Sequence, residues 1–236
     1  MKYFDVHTHI PDESGEVKSV LNLFPEDELT GEMFSVGVHP WFTNKLDVER
    51  QLKLLRQKAV SENCVAIGEC GLDRPAFCRS GDGSSEDAVT RGFEFQSGLF
   101  KKQVGIANLA DKPLLIHCVR AFPELLHIRK SIPHSTPWII HGFRGSKEIA
   151  DSLIKEGIYM SFGKSISDTA PSNRKIQELF RKLPDSVILL ETDNVDEPTL
   201  DIRDVYRAAS KIRGISISDL QEIIQSNIKR IFSAEF

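Results

Sequence analysis

The residues most able to do chemistry stand at the ends of short apolar runs. In "FDVHTHI" (residues 4–10) two histidines sit two positions apart, with Asp5 two positions before the first. In an extended strand alternate residues share a face, so Asp5, His7 and His9 point one way, while Phe4, Val6, Thr8 and Ile10 form an opposite, mostly apolar face. Two imidazoles side by side can reach one metal ion, and histidine is the commonest metal-ligand side chain. Further along, His39 follows "VGV", Glu69 follows "VAIG", His117 follows "PLLI", His141 follows "WII", and Asp193 closes "ILLETD". A lone histidine after a strand is more often structural. Six apolar runs that each deliver His, Glu or Asp to the same end are hard to explain as core packing, because burying that many ionisable groups costs too much unless something pairs them. Four of these five histidines, with a glutamate and an aspartate, suit two divalent ions such as Zn, Mg or Mn. Two ions about 3.5–4 Å apart need a bridging ligand, for which Glu69 is the natural choice. Water on such a pair ionises near neutral pH. Asp193 is the candidate general base, and Asp5 the candidate acceptor bracing an imidazole N–H.

Strands must carry these side chains. Eight runs rich in β-branched residues recur: "KYFDVHTH", "VKSVLNL", "MFSVGVH", "CVAIGE", "KPLLIHC", "PWIIHG", "GIYMSFG" and "SVILLET". Amphipathic stretches near 45–62, 90–111, 122–131, 146–156 and 174–182 separate most of them, and two more near 201–213 and 218–231 follow the last. Strands alternating with helices predict a parallel sheet, and eight of them an α/β (β/α)8 TIM-barrel-like fold, whose strand ends converge on one mouth. No repeat or composition shift marks a second domain, so residues 1–236 are expected to form a single metal-dependent hydrolase barrel.

The first units depart from the ideal. Only residues 10–16 separate the first two strand candidates, and 24–32 the next two, whereas a parallel crossover usually needs a dozen or more residues. The barrel is therefore expected to be trimmed or distorted there, without a full-length helix between residues 10 and 32, and the run 17–23 to pair in a non-standard direction or sit at a gap. The segment 74–92, "RPAFCRSGDGSSEDAVTRG", reads as a loop, either a lid or a disordered surface segment.

The 236 residues carry 30 Lys and Arg against 34 Asp and Glu, a net charge of −4, so a broad basic nucleic-acid footprint is absent. Bound cations could still supply positive charge locally. No apolar run is long enough to suggest a membrane helix, and no apolar leader is visible, so a cytoplasmic protein with no membrane partner is expected. The four cysteines form no C-x-x-C pair and read as free thiols.

Taken in order, "DVHTH", "GVHPW", "AIGECGLD", "QSGLFKKQVGIA", "PLLIHCVRA", "HGFRG", "YMSFG" and "LLETD" resemble the motif series of the TatD family of metal-dependent deoxyribonucleases, amidohydrolase-like hydrolases. The resemblance covers residues 4 to about 195, and the C-terminal helices fit its ending. It implies a (β/α)8 barrel, two divalent ions and phosphodiester hydrolysis. Carried over by position, His7, His9, Glu69 and Asp193 would hold one ion, and Glu69, His117 and His141 the second. The chain departs from the family in having about half the usual span between the HxH and GxHP strands, in "NVDEP" after "ETD", and in residues flanking His117 and His141. Those departures bear on substrate rather than on metal.

Arg120 and Arg144, with Lys164 and Arg74, stand beside or after motif residues and are candidates for phosphate contacts, as is His39 for substrate. Singly, each basic residue reads more readily as ordinary surface charge. Trp41 and Phe143 are candidates to stack a base or simply to pack. The expected function is hydrolysis of phosphodiesters from ends of single-stranded DNA. The alternative on the same site is hydrolysis of a small phosphoester, lactone or amide, and a non-catalytic metal-binding protein is the remaining class.

Overall fold

The computed structural model describes residues 3–29, 31–42, 47–77, 86–195 and 199–232. Eight strands occur where apolar runs predict them: β1 Tyr3–Thr8, β2 Val17–Leu23, β3 Phe34–Val36, β4 Cys64–Asp73, β5 Leu114–Val119, β6 Trp138–Ile140, β7 Tyr159–Phe162 and β8 Ile188–Leu190. They follow one another in that order through one sheet. Every pair whose register is defined is parallel. Between and after them run α1 Val48–Ala59, α2 Glu86–Ala110, α3 Phe122–Ser131, α4 Lys147–Lys155, the single turn α5 Lys164–Ser167, α6 Arg174–Lys182, α7 Ile202–Arg213 and α8 Ile217–Phe232. This is the α/β, (β/α)8 barrel-like class.

The chain forms two compact units, residues 1–21 with 139–236, and residues 22–138. In the first, the backbone beyond β8 bonds to the end of β1. Asp193 N–H donates to the His7 carbonyl at 3.0 Å, and His9 N–H to the Asn194 carbonyl at 2.8 Å. The outward face of β1 is covered from the C-terminal helices. Phe4 lies 6.2 Å from Phe232 in α8, and its N–H donates to the Tyr206 hydroxyl of α7. Side-chain caps start α4 at Ser146 and α7 at Asp201, as helix N-termini need. In the second unit β4 is buried along all ten residues between β3 and β5. A Cβ at Gly71, which has φ +138°, would lie 2.1 Å from the His117 carbonyl oxygen, so only glycine lets β4 and β5 approach this closely. The Gly68–Glu69 peptide bond is cis.

Among the described residues no helix lies between residues 10 and 33, as expected. The expectation for residues 17–23 is corrected: β2 pairs with β1 in parallel, Val17 beside Tyr3. Extended chain explains this. Returning from Thr8 to the level of Tyr3 takes five steps, about 17 Å, and the nine steps from Thr8 to Val17 reach about 30 Å when extended. Arg203 holds this short link. Its guanidinium meets both carboxylate oxygens of Asp201 at 2.8 and 2.9 Å, Ser14 Oγ at 3.3 Å and Asp12 Oδ2 at 3.4 Å. Residues 78–85 of the segment 74–92 lie outside the described residues. Residues 74–77 form a 3-10 turn, and α2 begins at Glu86, four residues before the expected start. No helix is long and apolar enough to cross a membrane among the described residues.

Candidate metal centre

In the first unit, one donor atom from each of His7, His141 and Asp193 lies within 4.8 Å of the others. His7 is fully buried near the end of β1, and its Nε2 is 3.3 Å from Asp193 Oδ1; His9 Nε2 is 3.8 Å from the same oxygen. The His7 ring lies 4.4 Å from the ring of His141, which follows β6. Asp193 has φ +52°, a left-handed conformation that aspartate tolerates better than most residues, and its side chain is 44% exposed.

Two buried carboxylates support this set. Glu191, directly after β8, accepts the Gly142 N–H at 2.6 Å and lies 3.7 Å from His141 Nδ1, so it fixes the turn that carries His141. The expectation for Asp5 is corrected. Asp5 accepts from the His7 and Thr192 backbone N–H groups and from the Thr192 hydroxyl at 2.6 Å, and not from an imidazole. It ties the backbone of β1 to the segment leading into Asp193. Burial raises its carboxyl to about 7, against the lowering effect of those hydrogen bonds.

In the second unit, one donor atom from each of His39, Glu69 and His117 lies within 4.8 Å of the others. Trp41 N–H donates to His39 Nδ1 at 3.0 Å, so the proton of the neutral ring sits on Nε2 and donates to Glu69 Oε1 at 3.1 Å. His39, expected against substrate, thus positions Glu69. Glu69 is also held through its backbone, whose N–H donates to buried Asn22 at 2.8 Å. His117 lies between two carboxylates, with Nδ1 2.8 Å from Glu69 Oε1 and Nε2 2.9 Å from Asp73 Oδ2. Asp73 accepts the Trp41 indole N–H on the same oxygen at 2.6 Å. Two glutamines of α2 complete the frame. Gln103 bonds both backbone groups of Val38, and Gln96 accepts the Asp73 N–H and donates to the Pro40 carbonyl.

Asp73, Glu191, Thr192 and Asn22 carry structural roles that the sequence reading did not assign. Asp73 had a signal, since it lies four residues after Glu69 in one strand and shares its face. The basic candidates are less organised. Arg120 is exposed with φ +52°; Arg144 is exposed and donates to Asn173 at 2.8 Å; Lys164 is exposed at the start of α5. Arg74 pairs with Glu124 and lies 4.3 Å over the Phe93 ring. Phe143 is 1% exposed and packs on Phe162 at 5.8 Å, so it packs rather than stacks a ligand.

The donor chemistry fits divalent metal. With Asp73 taking the Nε2 proton of His117, Nδ1 keeps its lone pair beside Glu69. A carboxylate orienting a ligating imidazole in this way is the usual support of a metal site. Imidazoles paired with carboxylates on and just after parallel strands are the equipment of a metal-dependent hydrolase. Comparison with known proteins makes the class specific. The profile of the family described as TatD related DNase matches residues 9–233. YabD of Bacillus subtilis, an uncharacterized metal-dependent hydrolase, is 26% identical over 211 residues, 84% of this chain and 76% of that protein. The Erwinia tasmaniensis protein named 3'-5' ssDNA/RNA exonuclease TatD is 29% identical over 160 residues, 67% of this chain and 56% of its own. The crystal structure of the TatD homologue YjjV from Escherichia coli K12 shares the fold with a TM-score of 0.77, at 22% identity, across 99% of both chains. The chain belongs to the TatD-related DNase family and is a metal-dependent hydrolase.

Proposed function

We propose that this hydrolase cleaves phosphodiester bonds from the ends of single-stranded nucleic acid, DNA in the first place. His7, His9, Glu69, His117, His141 and Asp193 are the proposed ligands of two divalent ions. The observation that carries the reading is the pair of His–carboxylate sets, one in each unit, with buried Asp73 bonded to His117 and buried Glu191 beside His141. Divalent ions, if bound by these residues, would supply Lewis-acid charge for a phosphoryl oxygen and a lowered pKa for water. Asp193, a half-exposed carboxylate beside His7, accepts the proton from the attacking water as general base. Glu69, desolvated and held by the His39 side chain and, through its backbone, by Asn22, keeps its carboxylate oriented without reorganisation during the reaction.

End preference follows from charge. With acidic residues in excess, the chain has little means of neutralising many phosphates along a duplex, whereas a concentrated metal charge suits one or two phosphates. The name of the Erwinia relative points the same way. The test compares circular and linear single-stranded DNA of equal length, with divalent metal and with chelator. Cleavage of the linear form alone, abolished by chelator, is the expected result. Equal rates on both would refute end dependence. Cleavage of neither, with small phosphoesters, lactones or amides hydrolysed, would transfer the function to those substrates.

A further inference from the structure

We infer that Trp41 is a nucleobase platform that seats the terminal base of the substrate beside the Glu69–His117 set; the inference rests on the nucleic-acid reading above. Trp41 is 47% exposed, yet its ring is held from several sides. Its indole N–H donates to buried Asp73 at 2.6 Å, its backbone N–H donates to His39 Nδ1, and its ring meets the His39 ring edge-on at 4.9 Å and the His117 ring at 5.9 Å. A large apolar ring left open to water and fixed in orientation is poorly explained by packing, since packing would bury it. Fixation in advance removes the ordering cost of a stacked ligand. Stacking tolerates any base, because every base presents a π-face, and this suits an enzyme that takes ends without regard to sequence. The rings flanking Trp41 belong to the Glu69 set itself, so a base seated there carries its phosphate toward that set.

The sequence holds two tryptophans, and the other, Trp138, is fully buried, so quenchable fluorescence reports on Trp41. With the metal-loaded protein, dGMP is expected to quench this emission, 2-deoxyribose 5-phosphate is not, and Trp41→Phe is expected to abolish the signal. Kinetics use oligonucleotides with ordinary ends and with abasic ends. Wild-type protein is expected to show a KM about 5- to 150-fold lower for ordinary ends, the range that stacking of one base supports. Trp41→Ala is expected to bring the two KM values together with a smaller change in kcat, and Trp41→Phe to retain most of the difference. An end preference that persists in Trp41→Ala, or its absence in the wild type while DNA is cleaved, would overturn the platform and leave the nuclease reading intact. Quenching by dGMP without cleavage of any oligonucleotide would support the platform and refute the nuclease.

Discussion

Asp73→Asn is the sharpest perturbation of the candidate metal centre. The carboxylate is 2% exposed, and one of its oxygens accepts from both Trp41 Nε1 and His117 Nε2. An asparagine has one oxygen and one NH2 group. Because one oxygen accepts both bonds, the amide either weakens both, with its neutral oxygen there, or sets a donor against both, with its NH2 there. Leaving a buried donor unsatisfied costs about 1–3 kcal/mol. If the amide NH2 faces His117, the ring proton moves to Nδ1, the nitrogen beside Glu69, and no lone pair remains there for an ion. Loss of such a support typically lowers metal affinity or activity about 10- to 100-fold. The same 1–3 kcal/mol would lower Tm by about 2–12 °C for a chain of this size. Competition against a chelating indicator measures affinity, and a melting curve of metal-free protein measures the fold separately. Expected is a loss of affinity of at least tenfold in protein that still melts cooperatively. Wild-type affinity in a folded Asp73→Asn variant would refute the argument that Asp73 sets the His117 tautomer.

Asp193→Asn should keep the fold and lower turnover by about 10²–10⁴, the usual contribution of one positioned proton transfer, with metal occupancy measured in parallel; near wild-type turnover in loaded protein would remove Asp193 as the base. Chelation should abolish hydrolysis, and readdition should restore it as two equivalents of divalent ion bind per chain by calorimetry. Phe143→Ala should destabilise the protein by about 3–5 kcal/mol in denaturant titrations, because its ring is core, while the KM for linear DNA stays unchanged. Cys64, Cys70 and Cys118 are buried free thiols, with burial raising Cys64 to about 11 and the other two further, so these three of the four cysteines should resist an aromatic disulfide reagent at pH 8 until the protein is unfolded.

Periodicity made the scaffold legible. Each apolar run became a strand, because burial on both faces of a parallel sheet leaves a continuous apolar signature. The seven amphipathic stretches became helices with ends displaced by a few residues, and only the single turn α5 lacked enough length to show a period. The histidines and carboxylates of the two sets were visible for the same reason, as polar breaks within or just after apolar runs. Their hydrogen-bond partners were not, since these depend on distances between strands. Asp5 reaches Thr192 across 187 positions, and His39 turned out to serve Glu69 once the Trp41 N–H fixed its tautomer. The direction of β2 was misjudged because crossover lengths assume a helix, whereas bare extended chain covers the same distance in fewer residues.

The cover of β1 by α7 and α8 has a consequence for the order of assembly. The strand bearing His7 is made before the helices that cover it, and Phe4 waits for Tyr206, 202 positions later, and for Phe232. Contacts of such sequence separation form late and slow folding. During synthesis the apolar face of the first strand therefore stands uncovered until those helices arrive. A chain halted before residue 202 would carry all six proposed ligands and still lack the helices that cover β1. Seating of the strand that carries His7 is thereby postponed until α7 and α8 have been made.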